Sequence, residues 1–152
     1  MRAYLITNLI NLKKIFISSD HAGFSLKERI KLHLLKKKIT YQDLGPKTNA
    51  RVDYPDYAHK VSKKVKVNKM NIGILVCGSG MGMNIVANKY KNIRAAQCYN
   101  KKSTKLSRLH NDANIITLGS RLMTTKNALS CVDVFLNTKF EGGRHLKRIK
   151  KI

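Results

Sequence analysis

Short apolar runs alternate along the chain with segments whose apolar residues recur at helical spacing. The run 72–76 (IGILV) is continuously apolar, as expected for a strand that is buried on both faces of a parallel sheet. Shorter strands are predicted at 14–18, 39–44, 94–99 and 115–118. The chain is therefore expected to form five strands separated by helices.

A helix is predicted after each strand. The pattern Ser25-x-x-Glu28 is that of a capping box, which predicts the start of the first helix. The remaining helices are predicted at 57–67, from the glycine-rich stretch to Lys89, at 103–109, from a cap at Thr124 or Thr125 onward, and in the basic C-terminal segment. This alternation predicts an α/β fold with a parallel sheet covered on both faces. In such sheets ligands bind beyond the carboxyl ends of the strands.

The length of 152 residues suits one domain, which we place at 13–152. Residues 1–12 are predicted to be an N-terminal extension rather than a secretory signal, because Asn8 and Asn11 interrupt their apolar run and no small-residue cleavage site follows. No stretch reaches the roughly 18 apolar residues that a membrane span requires. The three cysteines form no Cys-x-x-Cys pair, which argues against a disulfide framework or a thiol zinc site and favours the cytoplasm.

The formal net charge of +23 raises the question of a nucleic-acid partner. Most of the excess is lysine spread over predicted helices, where solvated side chains are the ordinary explanation, and a basic surface also attracts anionic metabolites. There is no zinc-finger spacing, aromatic RNA-binding pattern or recognition-helix motif. A nucleic-acid-binding module therefore stays a weaker alternative to a site for a small anion.

The strand at 72–76 runs into Cys77-Gly78-Ser79-Gly80-Met81-Gly82. Glycines at alternate positions allow the backbone to curl around an oxyanion, and the start of a following helix favours a thiolate. The spacing does not fit a dinucleotide fingerprint or a Walker loop, and a cysteine phosphatase would need an arginine where Met83 stands. The alternative is that Cys77 is an inert buried thiol.

Three other segments offer polar chemistry. Asp20 and His21 follow the first strand and could bind a sugar hydroxyl and a phosphate, although Asp20 could instead only cap the next helix. His110 is flanked by Asn111 and Asp112 before the fifth strand, and a lone histidine is often structural.

The third of these segments lies near the C-terminus. Arg144 and Arg148 are four residues apart, so on a helix they would share one face and could both donate hydrogen bonds to a phosphate. The alternative is a solvated basic tail.

Together these segments resemble type B ribose-5-phosphate isomerases, in the family that also contains the galactose-6-phosphate isomerase subunits. The resemblance extends over about residues 13–149. The matching stretches, in the order of the family, are 19–23 (SDHAG), 53–58 (DYPDYA), 77–89 (CGSGMGMNIVANK), 94–98 (RAAQC), 106–114 (LSRLHNDAN), 118–121 (LGSR) and 141–145 (EGGRH). Some members use a glutamate as the base, but the predicted helix at 83–89 contains none, which indicates the cysteine form.

The resemblance implies a Rossmann-like three-layer α/β/α sandwich with a five-stranded parallel sheet. It implies a homodimer, or a dimer of dimers, whose active sites combine residues of two subunits. Cys77 stands at the family's position for the catalytic base, and His110 stands at the position of the residue that opens the sugar ring. Ser79 stands at the position of a Ser or Thr beside the base. The substrate-binding positions are Asp20, His21, Gly78, Gly80, Met81, Gly82, Asn111, Arg121, Arg144 and Arg148.

The implied reaction interconverts D-ribose 5-phosphate and D-ribulose 5-phosphate through an enediolate, within the non-oxidative pentose phosphate pathway. No cofactor or metal is predicted, because no metal-ligand cluster is visible in the sequence and thiol-plus-imidazole chemistry needs none. The same chemistry on a six-carbon substrate, allose 6-phosphate or galactose 6-phosphate, stays open. A non-catalytic sugar-phosphate sensor is disfavoured by the presence of both Cys77 and His110.

Overall fold

A computed structural model describes residues 13–152, so the predicted extension at 1–12 lies outside the described residues. Five parallel strands form one sheet in the order β2-β1-β3-β5-β4. The strands are β1 (Ile15–Ser19), β2 (Gln42–Asp43), β3 (Ile72–Cys77), β4 (Ala95–Gln97) and β5 (Ile115–Gly119). The predicted five-stranded parallel sheet is therefore confirmed, with the continuously apolar segment as its central strand.

Helices cover both faces of the sheet. They are α1 (Phe24–Lys36), α2 (Tyr54–Val65), α3 (Met81–Ala87), α4 (Lys101–Asn111), α5 (Thr125–Asn137) and α6 (Arg144–Ile149). On one face, α1 and α5 pack against β1, β3 and β5 in a core that includes Ile30, Ile74 and Phe135. On the other face, α2 and α3 form a second core around Leu75 and Met83. This arrangement is the predicted three-layer α/β/α sandwich.

The predicted capping box at Ser25 and Glu28 is wrong. Helix α1 begins at Phe24, with Gly23 as its N-cap, so that Ser25 lies within the first helical turn. The Gly23 N–H is bound instead by Asp20 Oδ1 at 2.8 Å. The physical reason is the tight turn after β1, which brings the Asp20 carboxylate to the helix start before Ser25 can reach it.

Other element ends also differ from the predicted ones. The second strand is reduced to two paired residues, because β2 is an edge strand with a neighbour on one side only. Helix α2 begins at Tyr54 rather than at 57, since Pro55 fits the first turn of a helix. Of the two predicted caps of α5, Thr124 and Thr125, the structure has Thr124, whose side chain accepts the Asn127 N–H at 3.2 Å.

A buried lysine stabilises the loop that follows β2. The side chain of Lys27 is fully buried and donates to both carboxylate oxygens of Asp43 at 2.9 Å and to the Pro46 carbonyl at 2.7 Å. Burial alone would raise the pKa of Asp43, but hydrogen bonds from Lys31 and Lys27 outweigh it and lower that pKa. Asp43 therefore stays ionised and keeps the buried ammonium neutralised.

Within residues 13–152, none of the helices has the length and apolar character needed to cross a lipid bilayer.

Candidate active site

The loops after β1, β3 and β5 meet at the carboxyl-terminal edge of the sheet. The Asp20 N–H donates to the Val76 carbonyl at 3.1 Å, and the Ser120 N–H donates to the Cys77 carbonyl at 2.8 Å. These bonds join the three loops around a cavity of about 370 Å³. The cavity is lined by Asp20, His21, Ala22, Tyr54, Cys77, Gly78, Ser79, Gly82, Arg121 and Leu122. The predicted site residues that follow the first, third and fifth strands therefore lie together.

Cys77 ends the central strand and lies in this cavity. Its side chain is almost buried, and its Sγ accepts the Gly80 N–H at 3.0 Å. Gly80 has a φ of +79°, a left-handed conformation that turns the chain back over the sulfur and favours glycine. A negative charge on this sulfur would therefore meet a fixed N–H dipole.

The other two thiols differ from Cys77. Burial raises the pKa of Cys98 and of Cys131, although hydroxyl neighbours partly oppose that shift. Both residues belong to the apolar core between the sheet and α5. They are neutral structural thiols at physiological pH, which leaves Cys77 as the thiol with access to a cavity.

The glycine loop after Cys77 is fixed from two sides. Gln97 Nε2 donates to the Ser79 carbonyl at 2.6 Å, and the Ser79 Oγ accepts the Met81 N–H at 3.2 Å. A side chain at Gly82 would lie 2.6 Å from the Tyr54 ring, so glycine is needed there for the ring to close over the loop. Two N–H groups of the loop, those of Gly80 and Met81, are thus already engaged within the protein.

Basic groups also line the cavity. His21 Nδ1 lies 3.1 Å from the Val52 carbonyl oxygen and 3.3 Å from the Val52 nitrogen, which fixes the ring and leaves Nε2 free for a ligand. The Arg121 guanidinium lies over Gly78, where an added Cβ would be 3.2 Å from one of its nitrogens. An anion in the cavity would therefore meet an imidazole and a guanidinium.

The remaining predicted site residues form a second group on α4 and α6. His110 and Asn111 end α4, while Arg144 and Arg148 lie on α6, which packs against α4. The predicted helix that carries both arginines is confirmed, and both side chains are exposed. The Glu141 N–H donates to the Leu109 carbonyl at 3.1 Å and ties the segment before α6 to α4.

This second group lies at the amino-terminal edge of the sheet. Helix α4 starts beyond the carboxyl end of β4 and runs back for 11 residues, a length of about 16 Å. At its far end, Arg94, which precedes β4, donates to the Asn111 carbonyl at 2.7 Å. Cys77, by contrast, is paired with Gly119 at the carboxyl end of β5. One chain therefore does not bring His110, Asn111, Arg144 or Arg148 to Cys77.

Within the second group, two imidazoles and a carboxylate lie close together. The rings of His110 and His145 are stacked, with centroids 4.2 Å apart and planes 10° from parallel. Glu141 Oε2 lies 3.9 Å from His110 Nε2 and 3.8 Å from His145 Nε2. These are the residues that could hold a metal ion, because their ligand atoms all lie within 4.8 Å of one another.

The sequence pattern alone does not single out Tyr54, Gln97, Glu141 or His145. Tyr54 lies in the DYPDYA stretch, and Glu141 and His145 lie in the EGGRH stretch, so the family resemblance was the available signal. Gln97 lies in the RAAQC stretch and had the same signal. Its role depends on a hydrogen bond to a loop 18 residues earlier in the chain.

Comparisons with known proteins identify the family of the chain. The family model described as Ribose/Galactose Isomerase matches residues 15–152. Ribose-5-phosphate isomerase B of Escherichia coli strain K12 is 42% identical over 141 residues, which cover 93% of this chain and 95% of that protein.

Solved structures show the same similarity. A ribose 5-phosphate isomerase from Thermotoga maritima superposes with a TM-score of 0.88 at 50% identity, over 91% of this chain and 95% of that one. Ribose-5-phosphate isomerase B from Mycoplasma genitalium, solved with bound ribulose-5-phosphate, has a TM-score of 0.88 at 46% identity, over 91% of this chain and 92% of that one. This chain belongs to the ribose/galactose isomerase family.

Proposed function

We propose that this chain is an isomerase that interconverts D-ribose 5-phosphate and D-ribulose 5-phosphate. The observation that carries the proposal is the Cys77 thiol, which meets the Gly80 N–H inside a cavity that also contains His21 and Arg121. A base, a glycine loop and phosphate-binding groups are what an aldose–ketose isomerisation of a sugar phosphate requires. The relatives named as ribose-5-phosphate isomerases support the same substrate.

The chemical step moves one proton between neighbouring carbons. In the forward direction the Cys77 thiolate removes the proton from C2 of the open-chain aldose and the C1 carbonyl oxygen takes the charge. The C2 hydroxyl proton passes to the C1 oxygen of the cis-enediolate, and the Cys77 thiol then returns the carbon-bound proton to C1, while the C2 oxygen becomes the ketone. The thiol is regenerated as thiolate, so no redox partner is consumed.

Backbone N–H groups of the glycine loop would stabilise the negative charge on the enediolate oxygens. The N–H groups of Gly80 and Met81 are engaged by Cys77 and Ser79, so the donors for the substrate are those of Gly78, Ser79 and Gly82. Gly82 lies in the first turn of α3, where an N–H has no partner within the helix. Each such donor contributes on the order of 3 kcal/mol to the transition state. Asp20, which lines the cavity, would bind a sugar hydroxyl.

Ring opening requires a second copy of the chain. His110 would carry a proton between the ring oxygen and the anomeric hydroxyl, but in its own chain it lies at the other edge of the sheet from Cys77. A homodimer would bring the His110 edge of one subunit over the Cys77 cavity of its partner. The exposed apolar side chains Met81 and Ile85, 49% and 62% exposed beside that cavity, support this contact. Two such dimers could pair further.

The phosphate would be bound from both subunits. His21 and Arg121 face the cavity from one chain, and Arg144 and Arg148, four apart on α6, would reach it from the other together with Asn111. The net charge of +23 would steer anionic substrates toward the protein. All three cysteines are free thiols, which supports a reducing compartment, the cytoplasm, as the place of action.

The activity is tested with three substrates assayed side by side. The purified protein should turn over ribose 5-phosphate with a kcat/KM at least about tenfold above that for allose 6-phosphate or galactose 6-phosphate. The Cys77→Ala protein is the matched control for contaminating isomerase. A preference for allose 6-phosphate or galactose 6-phosphate would instead identify the chain as an isomerase of a six-carbon sugar phosphate. No turnover of any of the three substrates would contradict the proposal.

A further inference from the structure

The cluster at the amino-terminal edge has the composition of a metal site. His110, Glu141 and His145 supply two imidazole nitrogens and one carboxylate oxygen, all within 4.8 Å of one another. Two histidines and a glutamate are a set of three protein ligands that binds Zn²⁺ and leaves one coordination position open. Glu141 and His145 are four residues apart across the start of α6, and His110 comes from α4.

His145 provides an independent reason to expect a ligand. Its side chain is only 5% exposed, and its Nε2 has no hydrogen-bond partner among residues 13–152. This nitrogen faces Glu141 Oε2 at 3.8 Å, a distance too long for a hydrogen bond. A buried polar atom without a partner is costly, and a shared ion would remove that cost.

The surroundings restrict which ion can bind. Arg144 and Arg148 lie on the same short helix and their positive charges oppose any cation. Mg²⁺ and Ca²⁺ prefer sets of oxygen ligands, of which this cluster supplies one carboxylate, whereas Zn²⁺ and its neighbours bind imidazole strongly. The two rings are nearly parallel, so coordination requires the more exposed one, His110 at 37% exposure, to tilt toward Glu141.

We propose that His110, Glu141 and His145 bind a Zn²⁺-class transition-metal ion, and that this ion inhibits the isomerase. The Nε2 atom of His110 would coordinate the ion, and that imidazole could then no longer exchange a proton with the sugar ring. The inhibitory part rests on the proposed function, in which His110 opens the ring, whereas the binding itself does not. The consequence is an enzyme that is switched off by free transition metal and restored by a chelator.

Binding is tested by calorimetric titration of Zn²⁺ into the Cys77→Ala protein, where the accessible thiol cannot bind the ion. One ion per chain is expected. Glu141→Gln in that background, a change at an exposed side chain, should weaken binding at least about tenfold. His59→Asn, which removes an imidazole bound to Tyr90 instead, is the matched control and should leave the affinity unchanged. Equal affinities in all three proteins would overturn the site.

Inhibition is tested with Cys77 intact. Zn²⁺ should inhibit turnover of ribose 5-phosphate, EDTA should restore it, and Glu141→Gln should raise the inhibitory concentration by the same factor as the dissociation constant. His145→Asn, if it folds, should do the same. Binding without inhibition would overturn the inhibitory part, while binding by a protein that has no isomerase activity would refute the proposed function and leave the metal site standing.

Discussion

The carboxyl-terminal edge of the sheet carries a nearly buried thiol, Cys77, under a glycine loop, whereas the amino-terminal edge carries the half-exposed His110 beside two exposed arginines. The first group is held by backbone hydrogen bonds and is fixed before substrate arrives. The second lies on the surface of α4 and the short helix α6. The difference is the basis of our proposal that each chain contributes half of two sites, one half preorganised for proton transfer and the other available to cover a partner.

The largest effect is expected at the carboxyl edge. Cys77→Ala should lower turnover of ribose 5-phosphate at least about 10³-fold, because it removes the proposed base, and the Asp20 and His21 side chains of the cavity are engaged with Gly23 and Val52. Circular dichroism should show the same fold. Cys131→Ala, a change at a neutral core thiol, is the matched control and should keep turnover while lowering thermal stability. Near-normal turnover in the Cys77 variant would refute its role.

At the amino edge, His110→Asn should slow isomerisation of cyclic ribose 5-phosphate by about 10²-fold or more, because the ring no longer opens on the enzyme. An open-chain analogue should be turned over nearly as fast as by the unmodified protein. Steady-state kinetics with both substrates measures the difference. Equal losses on the two substrates would mean that His110 takes part in a step after ring opening.

The arginines of α6 should affect binding more than chemistry. Arg144→Ala would remove the charge-assisted hydrogen bond that we propose to the phosphate and should raise KM by about 10-fold to 100-fold. Lys147→Ala, which removes an exposed positive charge from the same helix, should change KM little. If both variants raise KM equally, the basic surface acts only through its overall charge and not through a fixed contact.

The smallest effect is expected at a positioning residue. Gln97→Leu leaves the Ser79 carbonyl without its donor and should lower kcat by about 3-fold to 10-fold with KM nearly unchanged. The control is Asn88→Ala, since Asn88 binds the backbone of the same strand at Ala95 but not the glycine loop. A loss of stability in both variants with no difference in kcat would assign Gln97 a structural role only.

Local sequence signals predicted most of the fold. The apolar run of β3 and the glycines after it indicated a buried strand and a turning loop, and Thr124 indicated the start of α5. The capping box failed because the Gly23 N–H donates to the carboxylate of Asp20, in the preceding turn, and this bond replaced the local one. The shortened β2 reflects pairing on one side only, which the strand's own residues do not encode.

The residues of the candidate site were harder to predict from the sequence than the fold was. Tyr54 and Gln97 act through tertiary contacts with the glycine loop, and those contacts have no local spacing pattern. The separation of Cys77 from His110 follows from connectivity: one ends a strand, and the other ends a helix that precedes a strand. Glu141 and His145 become a cluster with His110 only when α6 packs on α4.

The central claim, that a working site combines two chains, is tested most directly by mixing two inactive variants. Cys77→Ala and His110→Asn subunits are refolded together in equal amounts, and turnover of ribose 5-phosphate is compared with that of each variant alone. In a mixed dimer one site has lost both groups, while the other has an intact Cys77 from one chain and an intact His110 from its partner. Because half of the dimers are mixed, about a quarter of the unmodified activity should return. If the mixture stays as inactive as its components although mixed dimers form, the two groups do not share a site and the account is wrong.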